Sequence, residues 1–264
     1  MRGLRASLGA LLVAAMASPA AADFDAGAAA YAAGDYAAAF EEWRAPAAAG
    51  EAEAQFALGN LYVNAEGVKQ DFDEARAWFE KAAAQGHAGG QYQLGLQHEH
   101  GWGVEADMAE AMRWYRLAAG QGYASAQYYL GLIYAKGRGV APDAAEAAGW
   151  YRKAAEQGFA EAEHNLAVLY FKGEGVAEDY NEAARLYQSA AEKGYIDAQN
   201  NLAGMYALGL GVEQDFVTAY MWATLAAAQD AQNAEENLAR IAERLSAEQI
   251  AEAERLAAEW KPRK

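Results

Sequence analysis

The clearest candidate for metal chemistry in this sequence is the segment His98-Glu99-His100. Imidazole and carboxylate groups are common zinc ligands, but a zinc site needs several of them to converge on one ion. Residues i and i+2 of a helix point in different directions, so His98 and His100 do not share a face. His98 also replaces a recurring tyrosine, which favours a packing role; the other copies are Tyr62, Tyr134, Tyr170 and Tyr206. We predict no metal site.

Nucleophilic and phosphate-binding motifs are equally poorly supported. The serines beyond residue 22 are Ser125, Ser189 and Ser246, and none begins Ser-x-x-Lys or lies in Gly-x-Ser-x-Gly. The sequence has no cysteine to act as a nucleophile. Glycine loops such as 137–139 follow helices and lack the Gly-Lys-Ser/Thr of a phosphate loop. We therefore predict no catalytic residue and no cofactor, and expect a non-catalytic protein.

The acidic pair Asp143 and Glu146 has the spacing of a helix N-terminal capping box. The pair recurs as Asp71/Glu74, Asp107/Glu110 and Asp179/Glu182. Recurrence at each helix start favours capping over catalysis. The aromatic column Trp78, Trp114, Trp150 and Trp222 recurs with the same step and is most simply core.

These recurrences are part of a period of 36 residues without insertion. A fixed period of this length predicts a solenoid, in which each unit buries its apolar face against its neighbours. In one unit, 124–135 is predicted as helix A and Asp143 begins helix B, which ends near Gly158. The fold class is therefore all-α, an α/α superhelical solenoid. We place five repeats at 51–86, 87–122, 123–158, 159–194 and 195–230.

The ends of the array are predicted to differ from its middle. Residues 23–50 form N-terminal capping helices equivalent to a partial repeat. Residues 231–264 form a C-terminal partial repeat followed by a capping helix, which begins after Ser246 and runs to about Trp260. Terminal repeats differ because one of their faces meets water.

Residues 1–22 have the pattern of a signal peptide: Arg2 and Arg5, a short apolar run, and Ala20-Ala21-Ala22 before Asp23. We expect cleavage near Ala22-Asp23 and a periplasmic or secreted protein; an uncleaved anchor is disfavoured because the run is short. No later segment is long enough for a membrane span. The net charge of −16 disfavours nucleic acid as a partner.

Columns that vary between repeats are candidates for a partner-binding face. On helix A they fall at spacings of three and four and form one stripe. This strip, as we call it below, is predicted to bind a protein or peptide through aromatic and amide side chains. The alternative for each residue is that it fills gaps between repeats. The strip consists of Phe56, Asn60, Tyr92, Gln93, Leu96, Tyr128, Tyr129, Leu132, His164, Asn165, Phe171, Asn200 and Asn201.

The pattern at 126–134, 137–140 and 143–158 resembles the Sel1-like repeat, a relative of the tetratricopeptide repeat. The resemblance implies an exported adaptor or scaffold that binds proteins through the concave face of the solenoid, and we expect a monomer. One cysteine-rich branch of the family has been linked to β-lactam binding and hydrolysis. The alternative function is thus an envelope enzyme or binder that acts on β-lactam or peptidoglycan fragments, but this chain lacks the cysteines of that branch.

Overall fold

The computed structural model describes residues 19–231 and 233–263, and those residues form fourteen α-helices and no strand. The chain divides into two compact units, residues 1–123 and 124–264. Unit 1 contains α1 Pro19–Ala32, α2 Tyr36–Ala49, α3 Ala52–Asn64, α4 Phe72–Ala84, α5 Ala88–His100 and α6 Met108–Gly120. Unit 2 contains α7 Ala124–Lys136, α8 Ala144–Ala155, α9 Ala160–Lys172, α10 Tyr180–Glu192, α11 Ile196–Leu208, α12 Phe216–Ala227, α13 Ala234–Ala242 and α14 Ala247–Glu259.

Helices pair in chain order within each unit. In unit 1, α1 packs on α2, α3 on α4 and α5 on α6, and each pair stacks on the next. In unit 2, the pairs α7–α8, α9–α10 and α11–α12 do the same, and α12 also packs against α13 and α14. This is the all-α helix-pair solenoid fold that the period predicts. In the described part of the chain, no helix combines the length and apolar character needed to cross a bilayer.

The predicted signal peptide lies almost entirely in residues 1–18, which are outside the described residues. The described chain begins with α1, so residues 19–22 of that prediction belong to this helix. Helix α2 has a complete partner: Trp43 is buried, stacks on Phe24 at 5.8 Å between ring centroids, and donates its indole N–H to the Phe24 carbonyl at 3.1 Å. The first two helices therefore pack together as a hairpin.

The aspartates at the start of helix B cap it as the spacing predicts. Oδ1 of Asp179 accepts backbone N–H groups of Asn181 and Glu182 at 3.0 and 3.1 Å. The glutamate half of the predicted box differs, because the Glu182 carboxylate pairs with Arg185 at 2.6 Å. A reciprocal capping box is found at Ser246 and Gln249. Capping by the aspartate alone satisfies two N–H groups of the first turn.

We expect Asp179→Ala to lower the free energy of unfolding by about 1 kcal/mol, because two amide groups at the start of α10 lose their acceptor. Asp179→Asn should lose much less, since asparagine caps helices about as well. Urea unfolding followed by circular dichroism measures both. If both variants lose the same free energy of unfolding, the hydrogen bonds of the cap contribute nothing to stability.

In the first four helix pairs, an aromatic ring of the second helix packs on a glycine of the first. Within unit 2, the Tyr151 ring lies against Gly131 and leaves no room for a Cβ there. The tryptophans expected in the core are mostly half-buried at its edge. Trp150 is an example: the ammonium of Lys153 lies 4.0 Å from its ring centroid. Trp222 differs and is 6% exposed. The long basic side chain covers the ring face and takes the place of a further layer of protein.

In repeats one, two, three and five, a pair of glutamines joins the two ends of the helix hairpin. Gln157 donates to Gln127 at 2.8 Å in unit 2, and Gln121 donates to Gln91 at 2.7 Å in unit 1. Repeat four departs: Glu163 replaces the first glutamine and Lys193 the second, and their Oε1 and Nζ are 2.6 Å apart. An ion pair thus stands in a position that other repeats fill with neutral amides.

Candidate functional site

The strip is less exposed than the sequence suggests. Asn60, Tyr92 and Gln93 are buried, with 5%, 8% and 8% of their surface exposed. The other members are half-buried. Within each unit, adjacent helices A lie close enough for the strip side chains of one repeat to reach those of the next. The strip therefore both joins neighbouring repeats and presents part of its surface to solvent.

In unit 1, strip residues connect successive repeats. Gln93 donates its Nε2–H to Oδ1 of Asn60 at 2.9 Å. The Nδ2 of Asn60 is buried and makes no hydrogen bond in the described structure. Phe56 packs against the His87 ring at 4.6 Å, and Tyr92 packs against the Tyr123 ring at 5.3 Å. Leu96 lies half-buried on the same helix as Tyr92.

His87, which the sequence did not single out for a role, links two repeats at the edge of the strip in unit 1. Its Nδ1 accepts the backbone N–H of Gly90 at 3.0 Å, so it caps α5. The proton is then on Nε2, which donates to Glu53 at 2.9 Å. This hydrogen bond lowers the pKa of Glu53 below its ordinary value, against the opposing effect of burial.

In unit 2, the strip contains a chain of hydrogen bonds centred on His164. Its Nε2 accepts from Nδ2 of Asn201 at 3.1 Å, so Nδ1 carries the proton and donates to Oδ1 of Asn165 at 3.2 Å. Burial lowers the pKa of His164, which favours this neutral form. The ring also packs against Tyr195 at 5.0 Å. The network joins repeats four and five.

Tyrosine hydroxyls lie around this network. The Asn165 amide partly offsets the effect of burial on the pKa of Tyr128 and Tyr151, and the Asn201 amide does the same for Tyr187. Burial raises the pKa of Tyr151 to about 12 and that of Tyr128 further, so both stay protonated at neutral pH. These hydroxyls act here as hydrogen-bonding groups and carry no charge.

The remaining strip residues of unit 2 lie around this network. Asn200 accepts a hydrogen bond from Nδ2 of Asn237 at 2.9 Å, which ties repeat five to α13. Tyr129 meets Tyr128 edge to face at 5.9 Å, and Phe171 meets the Tyr180 ring at 5.4 Å. Leu132 is half-buried and packs on the core of the unit. The structure thus brings aromatic, amide and aliphatic groups together on this face.

The histidine network makes stability depend on pH. Since the folded pKa of His164 is below its unfolded value, the unfolded chain binds the proton more readily, and stability is lost as pH falls below about 6.5. We expect the thermal midpoint of the wild type to fall more between pH 7.5 and pH 5.5 than that of His164→Gln. Parallel curves for the two proteins would contradict this.

The rim of the strip in unit 2 is acidic. Asp197 and Glu161, in the first turns of α11 and α9, add to the effect of burial in raising the pKa of Tyr195. No ion pair within 4.0 Å joins either carboxylate to a described basic side chain. The strip thus offers hydrogen-bonding and aromatic surface in a negative potential, which suits a partner without excess negative charge.

His98 and His100 lie in different surroundings. His98 is half-buried in the tyrosine column, whereas the His100 ring stacks on Trp102 at 4.5 Å. Among residues 19–231 and 233–263, no group of three histidine, aspartate or glutamate side chains is placed to hold a metal ion. The best-formed cavities are shallow; one of about 320 Å³ is lined by Tyr195, Asp197 and Asp230.

Comparison with models of protein families shows which family the chain belongs to. The Sel1 repeat model matches residues 52–87, 88–123, 124–159, 160–195 and 196–230. The chain belongs to the Sel1-repeat family. Sel1 repeats form helix-pair scaffolds that are generally non-catalytic and suggest protein–protein interaction. Comparison with curated protein sequences gives no match.

Solved structures support the same relationship. A Sel1 repeat protein from Oxalobacter formigenes is 33% identical, with a TM-score of 0.75, over 92% of this chain and 98% of that chain. The protein c5321, a protective antigen of uropathogenic Escherichia coli, is 30% identical with a TM-score of 0.59, over 91% of this chain and 60% of that one. Immunity protein Pa5087 from Pseudomonas aeruginosa shares the fold at 22% identity, with a TM-score of 0.52 over 87% of this chain and 84% of that chain.

Proposed function

We propose that this Sel1-repeat protein is an exported scaffold that binds a protein or peptide through the strip on its helices A. The observation that carries the proposal is the unit 2 surface around His164, whose ring hydrogen-bonds Asn165 and Asn201 and packs against the Tyr195 ring. Rigid aromatic and amide groups give contact area and hydrogen bonds with little further loss of side-chain entropy.

The polar character of this surface supports a peptide ligand. Asparagine side chains offer both a donor and an acceptor, which match the two hydrogen-bonding groups of a peptide unit. Half-burial favours binding because the side chains are already ordered before a partner arrives. The N-terminal pattern Ala20-Ala21-Ala22 before Asp23 supports export to the periplasm or beyond it.

The proposal is tested by crosslinking the tagged protein in cells and identifying its partners by mass spectrometry. The strip variant is Tyr129→Ala/His164→Ala/Phe171→Ala, which removes three half-buried strip side chains of unit 2, among them the histidine at the centre of the network. The matched control is Glu156→Ala/Asn181→Ala, which removes two exposed side chains, one at the end of α8 and one in α10 of the same unit. Circular dichroism first establishes that both variants fold.

A partner recovered by the wild type and the control, and reduced at least tenfold with the strip variant, is the expected result. Recovery of the same partners by all three proteins would assign binding to another surface. Binding of β-lactam or peptidoglycan fragments with turnover, lost on a single polar substitution, would replace the scaffold proposal with the enzyme alternative.

A further inference from the structure

The segment Trp260–Arg263 follows α14, begins with extended backbone at Trp260, and lies against α10 and α12 of unit 2. The backbone N–H of Arg263 donates to the Glu192 carbonyl at 2.7 Å, and its guanidinium contacts the Glu192 carboxylate at 2.6 Å. Trp260 meets Trp222 edge to face at 6.0 Å. Pro262 lies over Gly194, where an added methyl group would be 3.6 Å from the ring.

The site beneath this segment has the features of a peptide-docking surface. Glu192 ends α10, so its carbonyl lies at the negative end of the helix dipole and favours a cation. Its other carboxylate oxygen accepts from Gln188 at 3.1 Å, which holds the side chain in place. The neighbouring Lys193 does not neutralise this carboxylate, since its ammonium contacts Glu163 and the Gly158 carbonyl.

The combination of Glu192, Gly194 and Trp222 is particular to this place in the chain. Position 192 corresponds to Ala84, Gly120, Glu156 and Ala228 in the other repeats, and position 222 corresponds to Leu186 in repeat four. The glycines equivalent to Gly194 in unit 1, Gly86 and Gly122, have no atoms within 4 Å of a Cβ position. The general repeat does not require this arrangement.

We propose that the surface formed by Glu192, Gly194 and Trp222 is a docking site for an extended, arginine-bearing segment of a protein partner. The chain's own segment Trp260–Arg263 occupies the site in cis and is displaced when the partner binds. The Arg263 side chain is 77% exposed, so its ion pair is screened by solvent and readily exchanged. The site is built from helix-B residues and is independent of the strip on helices A.

The test measures binding of a fluorescent peptide with the sequence of residues 258–263 to the full chain by anisotropy. The tethered segment competes in the wild type, because tethering gives it a high effective concentration. We therefore expect Trp260→Ala/Arg263→Ala to bind the peptide at least fivefold more tightly than the wild type. If that variant does not fold, Arg263→Ala alone gives the same comparison.

Two further variants, made in the displaced background, define the site. Glu192→Gln should weaken peptide binding at least fivefold, whereas Glu156→Gln, at the equivalent position of repeat three, should leave it unchanged. A peptide with alanine in place of arginine should also bind at least fivefold more weakly.

The proposal is overturned by equal binding to wild type and displaced variant, or by the absence of saturable binding at millimolar peptide. It is likewise overturned if Glu192→Gln has no effect. Sedimentation of the wild type tests a further outcome. If the protein dimerises as its concentration rises, by exchanging Trp260–Arg263 between two copies, the site would be assigned to a second copy of the chain instead of a partner.

Discussion

Replacing Lys193 by alanine is expected to lower the free energy of unfolding by about 3 kcal/mol, because Glu163 keeps a buried carboxylate without its counterion. Glu163 is 5% exposed, and its Oε2 makes no hydrogen bond in the described structure. Of the two side chains that now donate to this carboxylate, the Ser189 hydroxyl, 2.8 Å from Oε1, would remain. Urea unfolding followed by circular dichroism measures the loss.

The double variant Glu163→Gln/Lys193→Gln is the matched control. It installs in repeat four the amide pair that Gln127 and Gln157 form in repeat three. Because replacing a buried ion pair by neutral groups of similar size is often neutral or stabilising, we expect stability within about 1 kcal/mol of the wild type. If Lys193→Ala lowers the free energy of unfolding no more than Gln157→Ala does, the ion pair contributes no more to stability than the glutamine pair.

Gly211→Ala is expected to destabilise unit 2 by about 3 kcal/mol, as the sum of backbone strain and overpacking. The φ angle of Gly211 is +67°, which L-residues rarely adopt. An added Cβ would also collide with the backbone carbonyl of Tyr180. A carbonyl at the start of α10 cannot move without disturbing the helix, so the collision is not relieved by a side-chain rotation.

Gly86→Ala separates these two effects. Its φ angle is +85°, but no atom lies within 4 Å of the Cβ position. We expect only the conformational cost of about 1 kcal/mol there. Losses of similar size for Gly86→Ala and Gly211→Ala in urea unfolding would mean that close packing of the loop contributes nothing.

The repeats and their helices follow from the sequence because they rest on local physics. Apolar periodicity, aspartate caps and positive-φ glycines act within a few residues of one another, and each copy of the repeat gives the same information again. The departure in repeat four is also visible in the sequence, since Glu163 and Lys193 change together in columns otherwise filled by glutamine.

The strip was predicted as a set of positions, but its burial was not. Column variation says that Asn60, Gln93 and His164 differ from their counterparts; it does not say which neighbour each side chain reaches. In the structure, Gln93 bonds Asn60 across 33 residues and Asn201 bonds His164 across 37. The alternative that strip residues fill gaps between repeats therefore accounts for part of their variation.

By itself, the sequence determined the helix-pair repeat, the starts of its helices and the family, because each depends on short-range patterns repeated in register. The tertiary structure decided what those patterns leave open: the tautomer of His164, the pairing of His87 with Glu53, and the docking of Arg263 on Glu192, 71 residues away. Contacts of this kind depend on how far one repeat is displaced and rotated from the next, which no local pattern encodes.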